Sequence, residues 1–228
     1  MSSKAEKVGA VIVAAGESQR MGGIDKMLAK LGGEPVLLRA TRPFQESPRV
    51  HQIVVVVSGG KEEKCRSLIT GREWSKVTDI CLGGERRQDS VAAGLQRLDG
   101  CDWIIIHDGA RPLVTGEMIA RGLDAARETG AAIAAVPVKD TIKMADPTGA
   151  VIGTPPRRSL WAVQTPQVFR ADIISEAHRQ QTDVTDDAAL VEKLGHKVKI
   201  YPGAEENIKI TTPADLALAE VLWRRRGK

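Results

Sequence analysis

The 228-residue chain has few of the residues that cross-link secreted proteins or bind metals in clusters, with three cysteines, four histidines and 3% aromatic residues. The three cysteines, Cys65, Cys81 and Cys101, are odd in number and widely spaced. This spacing excludes a disulfide framework and a Cys-x-x-Cys metal or redox site. No run of about 18 apolar residues is present, and residues 1–7 lack an apolar signal core, so we expect a cytoplasmic protein with no membrane partner.

Strong charge of one sign is also missing, because 33 Lys and Arg residues balance 29 Asp and Glu residues to a net charge of +4. Part of this excess lies in the terminal run Arg224–Lys228, which is typical of a solvated helix end. No basic stripe with interleaved aromatic residues and no zinc-finger spacing accompanies it, so we expect no nucleic-acid partner. The small positive excess is compatible with an anionic small-molecule substrate.

The two best-known phosphate-binding motifs are absent from the first loop of the chain. The apolar run Val8–Ala15 predicts a strand buried on both faces, but the loop after it fits neither a Walker sequence nor Gly-x-Gly-x-x-Gly. Small residues and two cations are present instead, and they suit close approach of the main chain to phosphates. They are Gly16, Arg20, Gly22, Gly23 and Lys26. The alternative is a tight strand-to-helix turn with solvated cations.

Strands and helices are predicted to alternate along most of the chain, which is typical of a doubly wound, mostly parallel α/β sheet. Further strands are predicted at 53–57, 77–82, 103–107, 131–136 and 197–201. Helices are predicted from Pro35 until Pro43 interrupts, at 62–69, 91–98 and 116–128, from Thr165–Phe169 and from Asp183–Asp187, and finally before the basic tail. We expect one domain over residues 1–228.

Two more strand ends carry chemically informative residues. The Gly83–Ser90 turn leads into a helix that Asp89 or Ser90 is expected to cap. Asp108 follows four apolar residues, and a buried carboxylate needs a partner. That partner is either Mg²⁺, which accepts one carboxylate together with substrate phosphate oxygens, or simply Arg111. His107 is interpreted as a structural residue at the end of its strand.

Residues 137–164 interrupt the alternation with short extended pieces around an Asp-Pro-Thr-Gly turn, which predicts a β-hairpin. A hairpin without a covering helix is hard to bury alone, so we expect it to project and form a homodimer; a surface flap on a monomer is the alternative. Thr185 is expected to cap a helix. Lys209 lies between Ile208 and Ile210, an awkward position for a surface lysine, and is assigned a functional role.

Taken together, the motifs resemble the cytidylyltransferase family of the non-mevalonate isoprenoid pathway, which joins CTP to 2-C-methyl-D-erythritol 4-phosphate. The resemblance covers nearly the whole chain. The residues that carry it are Ala14–Met21 with Lys26, Gly83–Val91, His107–Pro112, Pro137–Thr141, Gln164–Gln167, Thr185–Asp186 and Asn207–Thr211. It implies a Rossmann-like fold of the nucleotide-diphospho-sugar transferase type with a dimerising β-arm.

The resemblance also implies roles for individual residues. Catalytic cations would be Arg20, Lys26 and Lys209. The nucleotide would be bound by Ala14, Ala15, Gly16, Gly83, Gly84, Glu85, Ser90, Asp108 and Gly109, with Mg²⁺ at Asp108. The methylerythritol phosphate would be bound by Asp108, Arg111, Thr165, Thr185 and Lys209, together with Thr141 and Arg157 from the arm of the other subunit.

Small departures from the family pattern are Gly109, where Ala is familiar, and Glu85, where Asp is common. The register near the adjacent Arg157 and Arg158 leaves open which of the two contacts substrate. Two alternative functions remain at this point. One is a related cytidylyltransferase acting on ribitol 5-phosphate, and the other is a regulatory module that binds CTP without turnover.

Overall fold

The computed structural model describes residues 6–16, 19–23, 25–70, 72, 74–180 and 184–227, and within them the chain forms eleven strands and seven α-helices. The strands are β1 (Val8–Ala14), β2 (Lys30–Leu31), β3 (Glu34–Pro35), β4 (Gln52–Val57), β5 (Val77–Leu82), β6 (Trp103–Asp108), β7 (Ala131–Pro137), β8 (Met144–Ala145), β9 (Val151–Gly153), β10 (Trp161–Arg170) and β11 (Lys199–Pro202). The helices are α1 (Val36–Glu46), α2 (Glu62–Thr70), α3 (Arg87–Leu95), α4 (Gly116–Thr129), α5 (Ala171–Ala177), α6 (Asp187–Lys193) and α7 (Pro213–Arg226), and 3-10 turns lie at Gln19–Met21 and Arg157–Ser159.

Seven strands form the central sheet in the order β11-β7-β10-β6-β1-β4-β5. Strand β10 runs antiparallel to both of its neighbours, and every other pair in the sheet is parallel. The predicted mostly parallel α/β architecture is therefore confirmed. No helix within the described ranges has the length and apolar character needed to cross a membrane.

Strand β1 explains why the first apolar run shows no polar alternation. Ala10 and Ile12 pack into the core on one face of the sheet, whereas Val11 and Val13 pack into the core on the other. Successive side chains of a strand point to opposite faces, so a strand covered on both sides must be apolar throughout. Helices α1, α2 and α4 contribute to the first core, and α3, α5 and α6 contribute to the second.

The prediction that a helix starts at Thr165–Phe169 is wrong, because these residues lie in β10. Val168 pairs with β6 on one side and β7 on the other, and it is fully buried. Pro166 suggested a first helical turn, but it lies where the pairing with β7 shifts register between Val163 and Gln167. A residue without a main-chain N–H donor is tolerated at such an irregularity.

Pro43 was predicted to interrupt the first helix, and that prediction is also wrong. Helix α1 continues through Pro43 to Glu46, and Phe44, one residue later, is fully buried in the core. Burial of an aromatic ring contributes more than the one main-chain hydrogen bond that an internal proline removes. Packing therefore decides the length of this helix.

The residues that begin α3 and α6 differ from those expected. Thr185 does not cap α6, because the side chain of the next residue, Asp186, accepts the hydrogen bond from the Ala189 N–H. Helix α3 begins at Arg87, so Asp89 lies in its first turn and accepts from the Arg86 N–H instead of occupying the cap position. In both helices a carboxylate satisfies an N–H that the helix itself leaves free.

The predicted hairpin is present, because β8 and β9 pair antiparallel across a turn at Asp146–Gly149. Its apolar side chains are unusually exposed: Val151 is 60% and Ile152 is 64% accessible. Residues 161–164, at the C-terminal end of the predicted arm, lie in β10 of the central sheet. The hairpin therefore projects from a base formed by β7 and β10.

Parallel strands β6, β1, β4 and β5 lie side by side, so their carboxyl ends meet at one edge of the sheet. Because β10 runs in the opposite direction, its first residues lie at that same edge. The crevice outside the carboxyl ends of the strands is the usual place for ligands in such sheets. The fold thus brings loops from five strands to one location.

Candidate active site

A cavity of about 670 Å³ lies at the carboxyl ends of β1, β4, β5 and β6. Nine of the residues predicted from the sequence line it: Ala15, Gly16, Lys26, Gly83, Gly84, Glu85, Ser90, Asp108 and Lys209. We call this the first cavity. The two small-residue loops expected to open on the same edge of the sheet do so.

Gly83 shows why the wall of the first cavity needs small residues. A Cβ atom at this position would lie 2.4 Å from the Ala15 Cβ and 2.5 Å from the Ser90 hydroxyl oxygen. These distances are too short for any side chain, so the loops after β1 and β5 approach as closely as they do only because residue 83 is glycine. The close approach of the two loops leaves no room for a side chain at this point of the cavity wall.

Asp108 lies on the floor of the first cavity between three cations. Its Oδ2 is 2.8 Å from the Lys209 Nζ, and its Oδ1 is 3.2 Å from the Arg87 Nε. The Arg111 Nε is more distant and lies 3.9 Å from the Asp108 Oδ2. Burial by itself raises the pKa of the Asp108 carboxyl, but the charges of Arg87 and Lys209 outweigh it and hold the pKa below its ordinary value. Asp108 is therefore a carboxylate.

Arg87 was assigned no role from the sequence, yet it joins two buried carboxylates. Its Nη1 lies 2.6 Å from the Asp187 Oδ2, while its Nε contacts Asp108. Asp187 is 1% exposed, and its other oxygen lies 3.0 Å from the His178 Nε2. Burial lowers the pKa of Arg87, but the charges of Asp187 and Asp108 raise it by a larger amount, so the net shift of the pKa is upward. Arg87 carries its charge at the centre of this network.

A second cavity, of about 490 Å³, adjoins the first and is lined on one side by α6 and on the other by the start of β10. The predicted acceptor residues Arg111, Thr165 and Thr185 line it. Arg87, Asp108 and Lys209 line both cavities and therefore form the boundary between them. The sequence-predicted nucleotide and acceptor residues thus meet at this group of three charged side chains.

Thr165 is held in place by the residues at the end of β6. Its hydroxyl accepts from the Asp108 N–H at 3.0 Å and lies 2.9 Å from the His107 Nδ1. The His107 Nε2 lies 3.1 Å from the carbonyl of Arg111. Burial lowers the pKa of His107 to about 4. His107 is structural, as predicted, because it connects Thr165 to the turn that carries Arg111.

Lys26 lies in a loop that is fixed on both sides. The neighbouring Asp25 accepts from the Met27 N–H at 3.0 Å and pairs with Lys61 at 2.9 Å. Burial, and then the charge of Lys209, lower the pKa of Lys26 from its ordinary value. An anion beside Lys26 would favour its charged form and so offset both effects.

Lys209 reaches Asp108 because the residues around it are anchored. Ile210 is fully buried in a third core with Met21 and Leu31, and its N–H donates to the Ala110 carbonyl at 2.8 Å. This anchoring explains the alternation that drew attention to Lys209. The apolar neighbour fixes the segment, and the ammonium points toward the cavities.

Some predicted residues lie outside both cavities. Ala14 is buried in β1, and Gly109 donates to the Val13 carbonyl behind the cavity wall. Arg20 is exposed in the 3-10 turn, where its charge acts on Lys26. Thr141 and Arg157 are exposed on the hairpin and are not among the described residues that line either cavity. Glu17, Ser18 and Asp183 lie outside the described residues.

Comparisons with known proteins agree with this geometry. The sequence model of the IspD family, 2-C-methyl-D-erythritol 4-phosphate cytidylyltransferase, matches residues 8–225. A 2-C-methyl-D-erythritol 4-phosphate cytidylyltransferase of Dehalococcoides mccartyi is 55% identical over 221 residues, which cover 96% of this chain and 97% of the relative.

Solved structures give the same result. The 4-diphosphocytidyl-2C-methyl-D-erythritol synthase of Anaerococcus prevotii superposes with a TM-score of 0.85 at 28% identity, covering 97% of this chain and all of that one (100%). The 2-C-methyl-D-erythritol 4-phosphate cytidylyltransferase of Thermus thermophilus superposes with a TM-score of 0.77 at 32% identity, covering 94% and 98%. The chain therefore belongs to the 2-C-methyl-D-erythritol 4-phosphate cytidylyltransferase family and is a nucleotidyltransferase.

Proposed function

We propose that this chain transfers CMP from CTP to 2-C-methyl-D-erythritol 4-phosphate, producing 4-diphosphocytidyl-2-C-methyl-D-erythritol and pyrophosphate for isoprenoid precursor synthesis. The observation that carries the proposal is the junction of the two cavities at Arg87, Asp108 and Lys209. A nucleotide in the first cavity and a phosphate in the second would meet there, between positively charged side chains.

CTP is assigned to the first cavity. The closely packed loops around Ala15, Gly16 and Gly83 would bring their main chain close to the nucleotide, and Glu85 and Ser90, which line the same cavity, would read its base. Lys26 faces the same space, and Arg20 lies close enough to act on it electrostatically. These two cations would neutralise the triphosphate, which is the most highly charged part of the nucleotide.

The acceptor is assigned to the second cavity, where Arg111, Thr165, Thr185 and Lys209 would bind its phosphate and hydroxyl groups. A phosphate oxygen of the acceptor attacks the α-phosphorus of CTP, and the bond from that phosphorus to the bridging oxygen of pyrophosphate breaks. No general base is needed, because the attacking oxygen is already ionised at neutral pH. The work of the site is positioning and stabilisation of negative charge.

Mg²⁺ is proposed as the companion of the triphosphate. The described part of the chain has no group of three or more His, Cys, Asp or Glu side chains placed to hold an ion. Asp108 is an ionised carboxylate in the first cavity, and one carboxylate plus substrate phosphates and water is a normal set of ligands for Mg²⁺. Asp108 would hold such an ion, which would supply positive charge to offset that of the triphosphate.

A homodimer through the hairpin is proposed from two features of that segment. Val151, Ile152 and Met144 expose apolar side chains that a partner surface would cover. Thr141 and Arg157, which the family pattern assigns to substrate, line neither described cavity of their own chain, and Arg157 donates to the Lys139 carbonyl at 2.7 Å. Donation of both residues to the neighbouring subunit accounts for their position.

The cytoplasm is the proposed location, in keeping with three cysteines that are all free thiols. Fractionation of cells that produce the chain at native level, with detection by antibody, tests this proposal. Recovery in a membrane or extracytoplasmic fraction contradicts it.

The activity is tested by pyrophosphate release from CTP, ATP, GTP and UTP, each with 2-C-methyl-D-erythritol 4-phosphate or ribitol 5-phosphate, with and without Mg²⁺. We expect release with CTP and the methylerythritol acceptor in the presence of Mg²⁺. Preference for ribitol 5-phosphate would instead make the chain a cytidylyltransferase of different specificity. Tight CTP binding without release from either acceptor would indicate a regulatory module.

A further inference from the structure

We propose that Asn207 is a positioning residue for the acceptor half of the site, because its amide fixes Thr165 and its main-chain carbonyl fixes Arg111. The inference rests on the proposed function, since Thr165 and Arg111 are the residues assigned there to the acceptor. The sequence assigned Asn207 no role of its own.

Asn207 is fully buried, and it touches two of the acceptor residues directly. Its side-chain Nδ2 donates to the Thr165 carbonyl at 2.9 Å and to the Gln164 Oε1 at 3.2 Å. Its main-chain carbonyl accepts from the Arg111 Nη1 at 2.8 Å. One residue therefore connects the start of β10 to the turn that follows β6.

The direction of each of these hydrogen bonds is fixed by main-chain groups. The carbonyl of Thr165 can only accept, so the nitrogen of the Asn207 amide must face it. Gln164 is locked in the same way, because its Nε2 donates to the Ala204 carbonyl at 2.8 Å and its Oε1 accepts from the Ala204 N–H at 3.2 Å. Both partners of the Asn207 nitrogen are acceptors, and only an amide donor satisfies them.

The segment that carries Lys209 also has a tie that does not involve Asn207. The segment from 207 to 210 is tied to the protein at both ends, by the Asn207 amide at one and by the Ile210 N–H on the Ala110 carbonyl at the other. Lys209 lies between these ties and pairs with Asp108. Loss of the first tie would let Arg111 move relative to Thr165, whereas the Ile210 tie would keep Lys209 beside Asp108 and the loops of the first cavity would keep their contacts.

The test is Asn207→Asp, which places a carboxylate oxygen against the two acceptor oxygens without changing side-chain size. We expect kcat/KM for 2-C-methyl-D-erythritol 4-phosphate to fall by about tenfold or more, while the KM for CTP changes by less than about threefold. Asn207→Ala removes the same donors without adding charge and should change the constants in the same direction. It serves as the second variant if the aspartate variant does not fold.

Tyr201→Phe is the matched control. The buried Tyr201 hydroxyl donates to the carbonyl of Pro166, at 2.7 Å, so the variant also removes a buried hydrogen bond to β10, one residue beyond Thr165. It should lower the melting temperature while leaving the acceptor constants near native. A loss of acceptor kcat/KM in this control as large as that in the Asn207 variants would show that general weakening of β10 explains the effect, and would overturn the inference.

Two further outcomes separate this inference from the function on which it rests. If the native chain releases pyrophosphate and the folded Asn207 variants keep acceptor constants within about twofold of native, the inference alone is overturned. An equal rise in the KM values for CTP and acceptor also overturns it. If the native chain releases no pyrophosphate with this acceptor, the proposed function fails and the inference falls with it.

Discussion

The Lys209 ammonium lies 2.8 Å from the Asp108 carboxylate, although the two residues are 101 positions apart in the chain. The pair lines both cavities, so its charges act on nucleotide and acceptor together. Asp108 balances part of the positive charge of Lys209 and Arg87 before substrates bind. Asp108 thus keeps Lys209 and Arg87 paired before phosphates bind.

Replacing Lys209 by alanine should lower kcat/KM for pyrophosphate release on the order of 100- to 1,000-fold, because it removes one preorganised cation from the reacting phosphates. Lys199→Ala is the matched control. Lys199 is a lysine of β11 that pairs with Glu128 at the surface, and it should retain native turnover. Near-native turnover in the Lys209 variant would remove this residue from the mechanism.

Arg87→Lys should lower kcat/KM by at least about tenfold although the charge is kept. A single ammonium lacks the planar fork with which Arg87 contacts Asp108 and Asp187 at once. The coupling is measured with a double-mutant cycle that combines Arg87→Lys and Asp187→Asn. A coupling energy above about 1 kcal/mol in transition-state binding is expected. Additive effects would mean that the two residues act separately.

CTP binding should weaken as pH rises toward the pKa of Lys26, which burial and Lys209 hold below the ordinary value of 10.5. The charged form binds the triphosphate, so affinity is full below that pKa and is lost above it. Calorimetric titration of CTP across alkaline pH measures the effect. In Lys26→Arg the cation stays charged, and the loss of affinity over this pH range should disappear. An unchanged pH profile would contradict this role for Lys26.

Mixing two inactive variants should restore activity if the hairpin completes the site of a second subunit. Arg157→Ala disables the donated arm, and Lys26→Ala disables the cavity. A heterodimer contains one site in which both residues are intact, so random subunit exchange should return about a quarter of native turnover. Arg158→Ala in place of Arg157→Ala tests which arginine is used. Absence of restoration after verified subunit exchange would contradict donation between subunits.

Asp215→Ala should lower the free energy of unfolding by about 1 kcal/mol, because Asp215 accepts from Thr211 and from the N–H groups that begin α7. The hydrogen bond from the Thr211 hydroxyl is the main reason that the pKa of Asp215 is lowered to about 2, from 3.8. A lowered pKa means that this stabilisation is present above about pH 4 and is lost as pH falls toward 2.

Chemical denaturation of native and Asp215→Ala protein at several pH values measures this difference. The matched control is Glu117→Ala, which removes an exposed carboxylate from the first turn of α4. The control should be nearly as stable as the native chain. A stability difference for Asp215→Ala that persists unchanged to pH 2 would contradict the assignment.

Local patterns in the sequence predicted most of the sheet. Strand β1 could be recognised because a strand covered on both faces is apolar at every position, and β5 was predicted with the bounds observed, Val77–Leu82. Strand β10 could not be recognised in the same way. Thr165-Pro166 has the local character of a helix start, and only pairing with two distant strands makes this segment extended.

The residues that line the two cavities could also be predicted in part from the sequence. Lys26, Gly83 and Asp108 could be identified from the sequence because each lies in a stretch that follows an apolar run. Small or charged residues after such a run are recognisable from the local sequence alone. Arg87 was missed because its carboxylate partners lie 21 and 100 residues away, and nothing in the polar run around it distinguishes one arginine from the next. Long-range ion pairs of this kind are properties of the folded chain.

The position of β10 has a consequence for the order in which the chain folds. Strand β7 lies between β10 and β11, both of which follow it in the sequence, so neither of its edges can pair until those segments have been synthesised. The emerging chain therefore exposes open strand edges on β6 and β7 while the hairpin is being made. Unpaired edges invite association with other chains. The open edges of β6 and β7 are closed only when β10 and β11 have been added to the sheet.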